Sequence, residues 1–170
     1  MADDDPAADD PAAYDPSAYN PAADERFMQA AIEQAAANRR APFGAVLVDG
    51  RSGGVVAAGV NRSRENPTLH GEIVAINAYA DSGGDAWARL TLYTTAEPCC
   101  MCQGAILWSG IGRVVFGTSI DTLTRLGWKQ IAIPADEVTR RSWRSGELPL
   151  TGGVLEAECD ELFRAAIAMH

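Results

Sequence analysis

His70, Glu72, Cys99 and Cys102 are the side chains of this 170-residue sequence whose types and spacing could do chemistry together. One His and two Cys are three borderline-soft donors, the protein share of a zinc site that keeps its fourth position open for water. Two thiolates and a neutral imidazole bring such a site to about zero net charge before water enters, yet its zinc still lowers the pKa of that water towards ~7. Glu72 stands two residues after the His. It is too close in sequence to be a spare ligand on the same helical face, and it supplies the base that the water needs. The chemistry implied is hydrolysis.

These residues need elements that aim them at one point. Pro98, with its fixed φ and no N–H to lose, suits the first turn of a helix over residues 99–108. Cys99 and Cys102 then share one face at i and i+3. Both lie where backbone N–H groups are unpaired, and that positive helix end favours thiolate. His70 likewise opens an apolar periodic stretch with Ile73, Val74, Ile76 and Ala78, the pattern of a partly buried helix. A metal would thus sit between two helix starts. Of the four Cys, three fall within residues 99–102, a spacing that suits a metal rather than a disulfide framework. Cys100 should point off the metal face, and Cys159 reads as a small buried apolar residue.

Around this pair the sequence predicts a helix capped by Asp24, with Met28, Ala31, Ile32 and Ala35 at helical spacing. Strands follow at 43–48 and 55–60 around turn material at 49–54, with further strands at 90–95 and 113–117. A packing helix spans 156–169, with Cys159, Leu162, Phe163, Ala166 and Ile167 on its apolar face. Arg140, Arg141 and Arg144 read as a solvated helical face. Strands alternating with helices imply an α/β protein, a three-layer α/β/α sandwich that is mostly parallel beyond its first hairpin. The site then falls at the carboxyl ends of strands.

The formal net charge of −9 misleads if taken whole. Residues 1–25 hold seven Asp, one Glu and no Lys or Arg, which leaves 15 acids against 14 bases in the rest. Nucleic-acid binding draws on Lys and Arg neutralising phosphates, so a near-neutral body argues against a nucleic-acid partner and for a small uncharged one. Four units of five residues begin at Asp5, Asp10, Asp15 and Asn20, with Pro at 6, 11, 16 and 21. Proline at every fifth position, with few apolar side chains, predicts a disordered acidic Pro/Ala tail over 1–23. Residues 24–170 then form one folded domain. The chain shows neither a signal-peptide pattern nor a run of 18 apolar residues, so the cytoplasm is the expected compartment and no membrane is involved.

His-x-Glu followed by Pro-Cys-x-x-Cys is also the signature of zinc-dependent base deaminases. Residues 42–127 resemble the cytidine deaminase superfamily in its cytosine, guanine and tRNA adenosine deaminase branch. The resemblance implies a five-stranded mixed sheet, a catalytic Zn2+ and a homodimer. It assigns His70, Cys99 and Cys102 as zinc ligands, Glu72 as the proton shuttle, and Asn61, Phe43, Gly71 and Trp108 as substrate-binding residues. Trp128 and Trp143 would line the same cavity. Pro42-Phe43-Gly44-Ala45 and Trp108 look like guanine deaminases, whereas residues 68–72 and 91–95 look like fungal cytosine deaminases. Lys129 departs from the guanine pattern, which has acidic residues there. The reading is a hydrolytic deaminase of a free nucleobase or related amino-heterocycle. The alternatives are a tRNA-specific adenosine deaminase and a non-catalytic zinc-stapled module, which would need four ligands and no adjacent carboxylate.

Overall fold

In the computed structural model, which describes residues 20–169, alternate side chains of the central strands sort into two cores. Ala45 and Leu47 face one way, Val46 and Val48 the other, as the two-residue period of a strand requires. The strands are β1 (Gly44–Asp49), β2 (Gly54–Val60), β3 (Leu90–Ala96), β4 (Arg113–Thr118) and β5 (Leu150–Thr151), in the order β2-β1-β3-β4-β5. β1 runs antiparallel to β2 and β3, while β3, β4 and β5 are parallel. The expected five-stranded mixed sheet is present. Its fifth strand is two residues long and was not marked by any sequence pattern.

Helices cover both faces. α2 (Gly71–Asp81) and α3 (Cys100–Ser109) bring Ala75, Tyr79, Ile106 and Leu107 onto the face of Leu47, Leu92 and Val114. α1 (Pro21–Ala35) and α6 (Glu156–Ile167) bring Phe27, Met28, Ala31 and Cys159 onto the face of Val46, Tyr93 and Val115. Two short helices, α4 (Ile120–Arg125) and α5 (Ala135–Arg140), follow β4. α2 approaches the sheet closely enough that a Cβ on Gly59 would lie 2.3 Å from the Gly71 carbonyl oxygen. Only glycine leaves room for that contact.

The start of α1 corrects the expected cap. Asn20, not Asp24, is the N-cap: its side chain accepts the Ala23 N–H at 3.2 Å, and Pro21 opens the helix. The last repeat unit therefore belongs to the fold, and the earlier units lie outside the described residues. Asp24 is instead buried inside the first turn, where both its oxygens meet the Arg113 guanidinium at 2.7 and 2.8 Å. Tyr93 Oη donates to the same carboxylate at 2.9 Å. Arg140 and Arg141 do pair with Glu137 on the exposed side of α5, but Arg144 reaches back to the Ile111 carbonyl oxygen at 2.9 Å. No helix among the described residues is long and apolar enough to cross a membrane.

Candidate active site

Two strand-to-helix junctions build the site. β3 ends at Ala96, and Glu97 and Pro98 lead into Cys99, whose extended backbone makes it the N-cap of α3. Pro98 thus precedes the cap instead of occupying the first turn. That placement suits the restriction a proline puts on its predecessor, because Glu97 is not asked to be helical. Cys102 follows in the first turn of α3, and His70 is the N-cap of α2. Neither side chain makes a capping hydrogen bond, and both turn toward the metal donors instead.

His70 turns Nδ1 toward both sulfurs, 3.6 Å from Cys99 Sγ and 3.6 Å from Cys102 Sγ. The three donor atoms all lie within 4.8 Å of one another. Zinc held tetrahedrally at ~2.0 Å from nitrogen and ~2.3 Å from sulfur places those atoms about 3.5 Å apart, so this donor set fits the ion. A hydrogen bond from Cys102 holds the Cys99 thiol down at about 4 and pushes Cys102 up. Hydrogen bonding to Cys99 raises the His70 imidazole. The thiolate is the form in which sulfur binds a metal, and the lowered Cys99 favours it. Cys100 stays outside the cluster. Cys159 is buried in the other core, where burial pushes its thiol up to about 12.

Beside these donors lies a cavity of about 490 Å3. Glu72 lines it while only 3 % exposed, and burial raises its carboxyl to about 7. A carboxyl tuned there can accept and return a proton near neutral pH. Phe43 and Trp128 form an aromatic wall, edge to face at 5.2 Å, and Phe163 packs against both from behind. Trp128 is fixed by its indole N–H, which donates to the Phe163 carbonyl oxygen at 3.3 Å. Asn61, buried at the end of β2, also reaches the cavity.

Two expected substrate contacts sit elsewhere. Trp108 is 79 % exposed at the end of α3 and stacks on Trp143, itself 60 % exposed, with ring centroids 4.3 Å apart. Neither lines the cavity. An aromatic at a helix end reads the same in sequence whether it faces a pocket or the outside, and here α3 turns it outward. Gly71 lies behind the wall: a Cβ there would come 2.4 Å from the Phe43 carbonyl oxygen, so the residue permits close packing of α2 on β1.

No sequence pattern points to Glu97, a cavity-lining acid beside the zinc-ligating junction. One of its carboxylate oxygens accepts the Ile120 N–H at 2.9 Å and the other accepts the Ala135 N–H at 2.8 Å. Those N–H groups open α4 and α5, so a single side chain ties the first residues of both. Between these helices, residues 126–134 carry Trp128, Lys129, Gln130 and Ile131 along the cavity. Ile167 of α6 contributes from the C-terminal end.

Comparison with known proteins agrees with this geometry. Residues 21–118 match the cytidine and deoxycytidylate deaminase zinc-binding region. A probable cytosine deaminase of Schizosaccharomyces pombe is 36 % identical over 114 residues, covering 65 % of this chain and 70 % of that protein. A tRNA-specific adenosine deaminase of Haemophilus influenzae is 36 % identical over 144 residues, covering 81 % and 79 %. The solved structure of a guanine deaminase from Nitrosomonas europaea superposes with a TM-score of 0.72 at 28 % identity, covering 85 % of this chain and 84 % of that one. The chain belongs to the cytidine and deoxycytidylate deaminase family, zinc-binding hydrolases that act on carbon–nitrogen bonds.

Proposed function

We propose that this protein is a zinc-dependent hydrolytic deaminase of a free nucleobase or related amino-heterocycle, of the guanine, cytosine, isocytosine or aminotriazine type. The observation that carries the reading is the aromatic-walled cavity with buried Glu72 beside the three metal donors. Phe43 and Trp128 suit a planar ring, and Asn61 can hydrogen-bond its edge. His70, Cys99 and Cys102 would hold zinc, which when bound lowers the pKa of a water towards ~7. Glu72 takes the proton of that water and passes it to a ring nitrogen of the substrate. As the water oxygen bonds to the ring carbon that carries the amino group, its remaining proton passes through the same carboxylate to that amino group; the C–N bond then breaks, ammonia leaves and the oxygen becomes a ring carbonyl. One residue thus serves as base and then as acid.

The equal identity to a tRNA-specific adenosine deaminase favours editing of adenosine in tRNA as a second reading. Charge argues against it. Lys129 is the only Lys or Arg lining the cavity among the described residues, and residues 26–170 carry 15 acids against 14 bases. A zinc-stapled module without turnover would need a fourth protein ligand, whereas the cluster has three and Glu72 beside it. Cytoplasmic residence and a homodimer complete the proposal, and exposed Trp108 and Trp143 give such a dimer an apolar face.

The test is ammonia release from zinc-loaded protein with guanine, cytosine, isocytosine, adenine, aminotriazines, their nucleosides and a tRNA anticodon stem-loop. Turnover of a free base is the expected result. Activity confined to the RNA would replace this reading with the editing one, and no release from any substrate would leave the non-catalytic module.

A further inference from the structure

Apart from the metal donors and Glu72, the polar groups on the cavity wall divide by hydrogen-bonding sense. Both Glu97 oxygens are engaged by backbone N–H groups, at 2.9 and 2.8 Å. Asn61 turns Oδ1 to Ser63, accepting its backbone N–H at 3.1 Å and its hydroxyl at 2.8 Å. A backbone N–H can only donate, so the amide orientation is fixed and Nδ2 is the atom left for the cavity. Lys129 stands at the mouth with three N–H donors and no ion pair among the described residues. Only Gln130 can offer either sense.

The backbone on both sides of Lys129 is held. Trp128 N–H donates to the Leu123 carbonyl oxygen at 3.0 Å and its indole to Phe163, while Glu97 ties the Ala135 end of the loop. Gly127, at φ 94°, makes the turn that releases the chain from α4 toward the cavity. Lys129 is therefore carried on an anchored segment next to the aromatic wall.

We infer that Lys129 is a specificity-determining residue that donates to a carbonyl oxygen on the substrate ring, so that the substrate is an oxo-bearing amino-heterocycle rather than a diamino one. A ring amino group in the same place would set donor against donor. One cation matches one carbonyl or singly charged oxygen, whereas a phosphate dianion would need more positive charge than this wall offers. The inference rests on the free-base reading above and narrows it.

Matched pairs test it: guanine with 2,6-diaminopurine, and isocytosine with 2,4-diaminopyrimidine, each differing by one oxygen-for-amino exchange. Zinc-loaded wild type, Lys129→Met and Lys129→Glu are compared by kcat/KM for ammonia release, with zinc content and thermal unfolding measured in each. Wild type should favour the oxo member, Lys129→Met should shrink that preference by about 10- to 100-fold, and Lys129→Glu should reverse it, with zinc content unchanged. A preference that stays the same in both variants overturns the inference and leaves the free-base reading intact. Absence of turnover of every base by wild type overturns both.

Discussion

Asn61 and Ser63 are joined through a single oxygen, Asn61 Oδ1, which accepts both the Ser63 backbone N–H and its hydroxyl. The backbone of Asn61 is tied as well: its N–H donates to the Phe43 carbonyl oxygen at 3.0 Å, and its own carbonyl accepts from Asn38 Nδ2 at 2.9 Å. A side chain held this firmly presents its amide N–H to the cavity without a search over rotamers. Preorganised donors of this kind are what orient a ring over a reacting centre.

Asn61→Asp keeps the oxygen that Ser63 needs and removes the donor. Its kcat/KM should fall at least about tenfold, because one substrate hydrogen bond is replaced by an unpaired charge. Zinc content should change little, while the melting temperature falls because the new charge is buried. Steady-state kinetics decide it, and an unaltered kcat/KM would remove Asn61 from the substrate contacts.

Glu97→Gln leaves one acceptor oxygen and sets an NH2 against the other backbone N–H. Losing a charge-assisted hydrogen bond costs about 1.5–3 kcal/mol, enough to loosen the start of α4 or α5 and the segment between them. KM should rise by roughly tenfold or more, with kcat and bound zinc less affected, since the anchored segment lines the cavity and not the metal. Loss of zinc with KM unchanged would confine Glu97 to the Cys99 junction.

Asp24→Ala leaves the Arg113 guanidinium buried and without its carboxylate. Breaking a buried ion pair in this way costs about 3–5 kcal/mol. Urea unfolding should show a loss of that order, while the remaining folded protein keeps wild-type kcat/KM, because the pair ties α1 to β4 and neither residue lines the cavity. A loss below ~1 kcal/mol would mean that Thr151, which accepts from Arg113 at 3.1 Å, suffices to hold the guanidinium.

The metal cluster was legible because its chemistry is local. Cys99 and Cys102 lie within one helical turn, His70 and Glu72 at the start of another, and the apolar periodicity after His70 marks that helix. The strand carrying Ala45, Val46, Leu47 and Val48 was legible because both its faces are buried. Partners distant in sequence left no such trace. Asp24 looked like a cap because its type suits one, and its real partner Arg113 is 89 residues away. Glu97 is bound by N–H groups 23 and 38 residues further on, and a backbone donor has no sequence signature. β5, two residues long, is too short to show alternation. Trp108 was apolar in the right helix but on its outward side, a distinction set by helix rotation and not by residue type.

Cys102→Ala removes one of three donors and leaves a space in a fully buried position. Bound zinc should drop well below one per chain, and thermal stability should fall with it, since metal binding to the folded state adds to folding free energy. Full zinc content measured by atomic absorption would exclude Cys102 as a ligand. Chelator treatment of the wild type should abolish ammonia release, and added zinc should restore it.

The most direct test concerns Glu72. Ammonia release by Glu72→Gln is compared with wild type at equal zinc content, using a free base that the wild type turns over. Glutamine keeps the shape but cannot carry the proton, so turnover should fall by several orders of magnitude while zinc and fold remain, consistent with the loss of both proton-transfer steps at ~10²–10⁴ each. Retained turnover with full zinc would contradict the assignment of Glu72 as the proton carrier and, with it, the proposed mechanism.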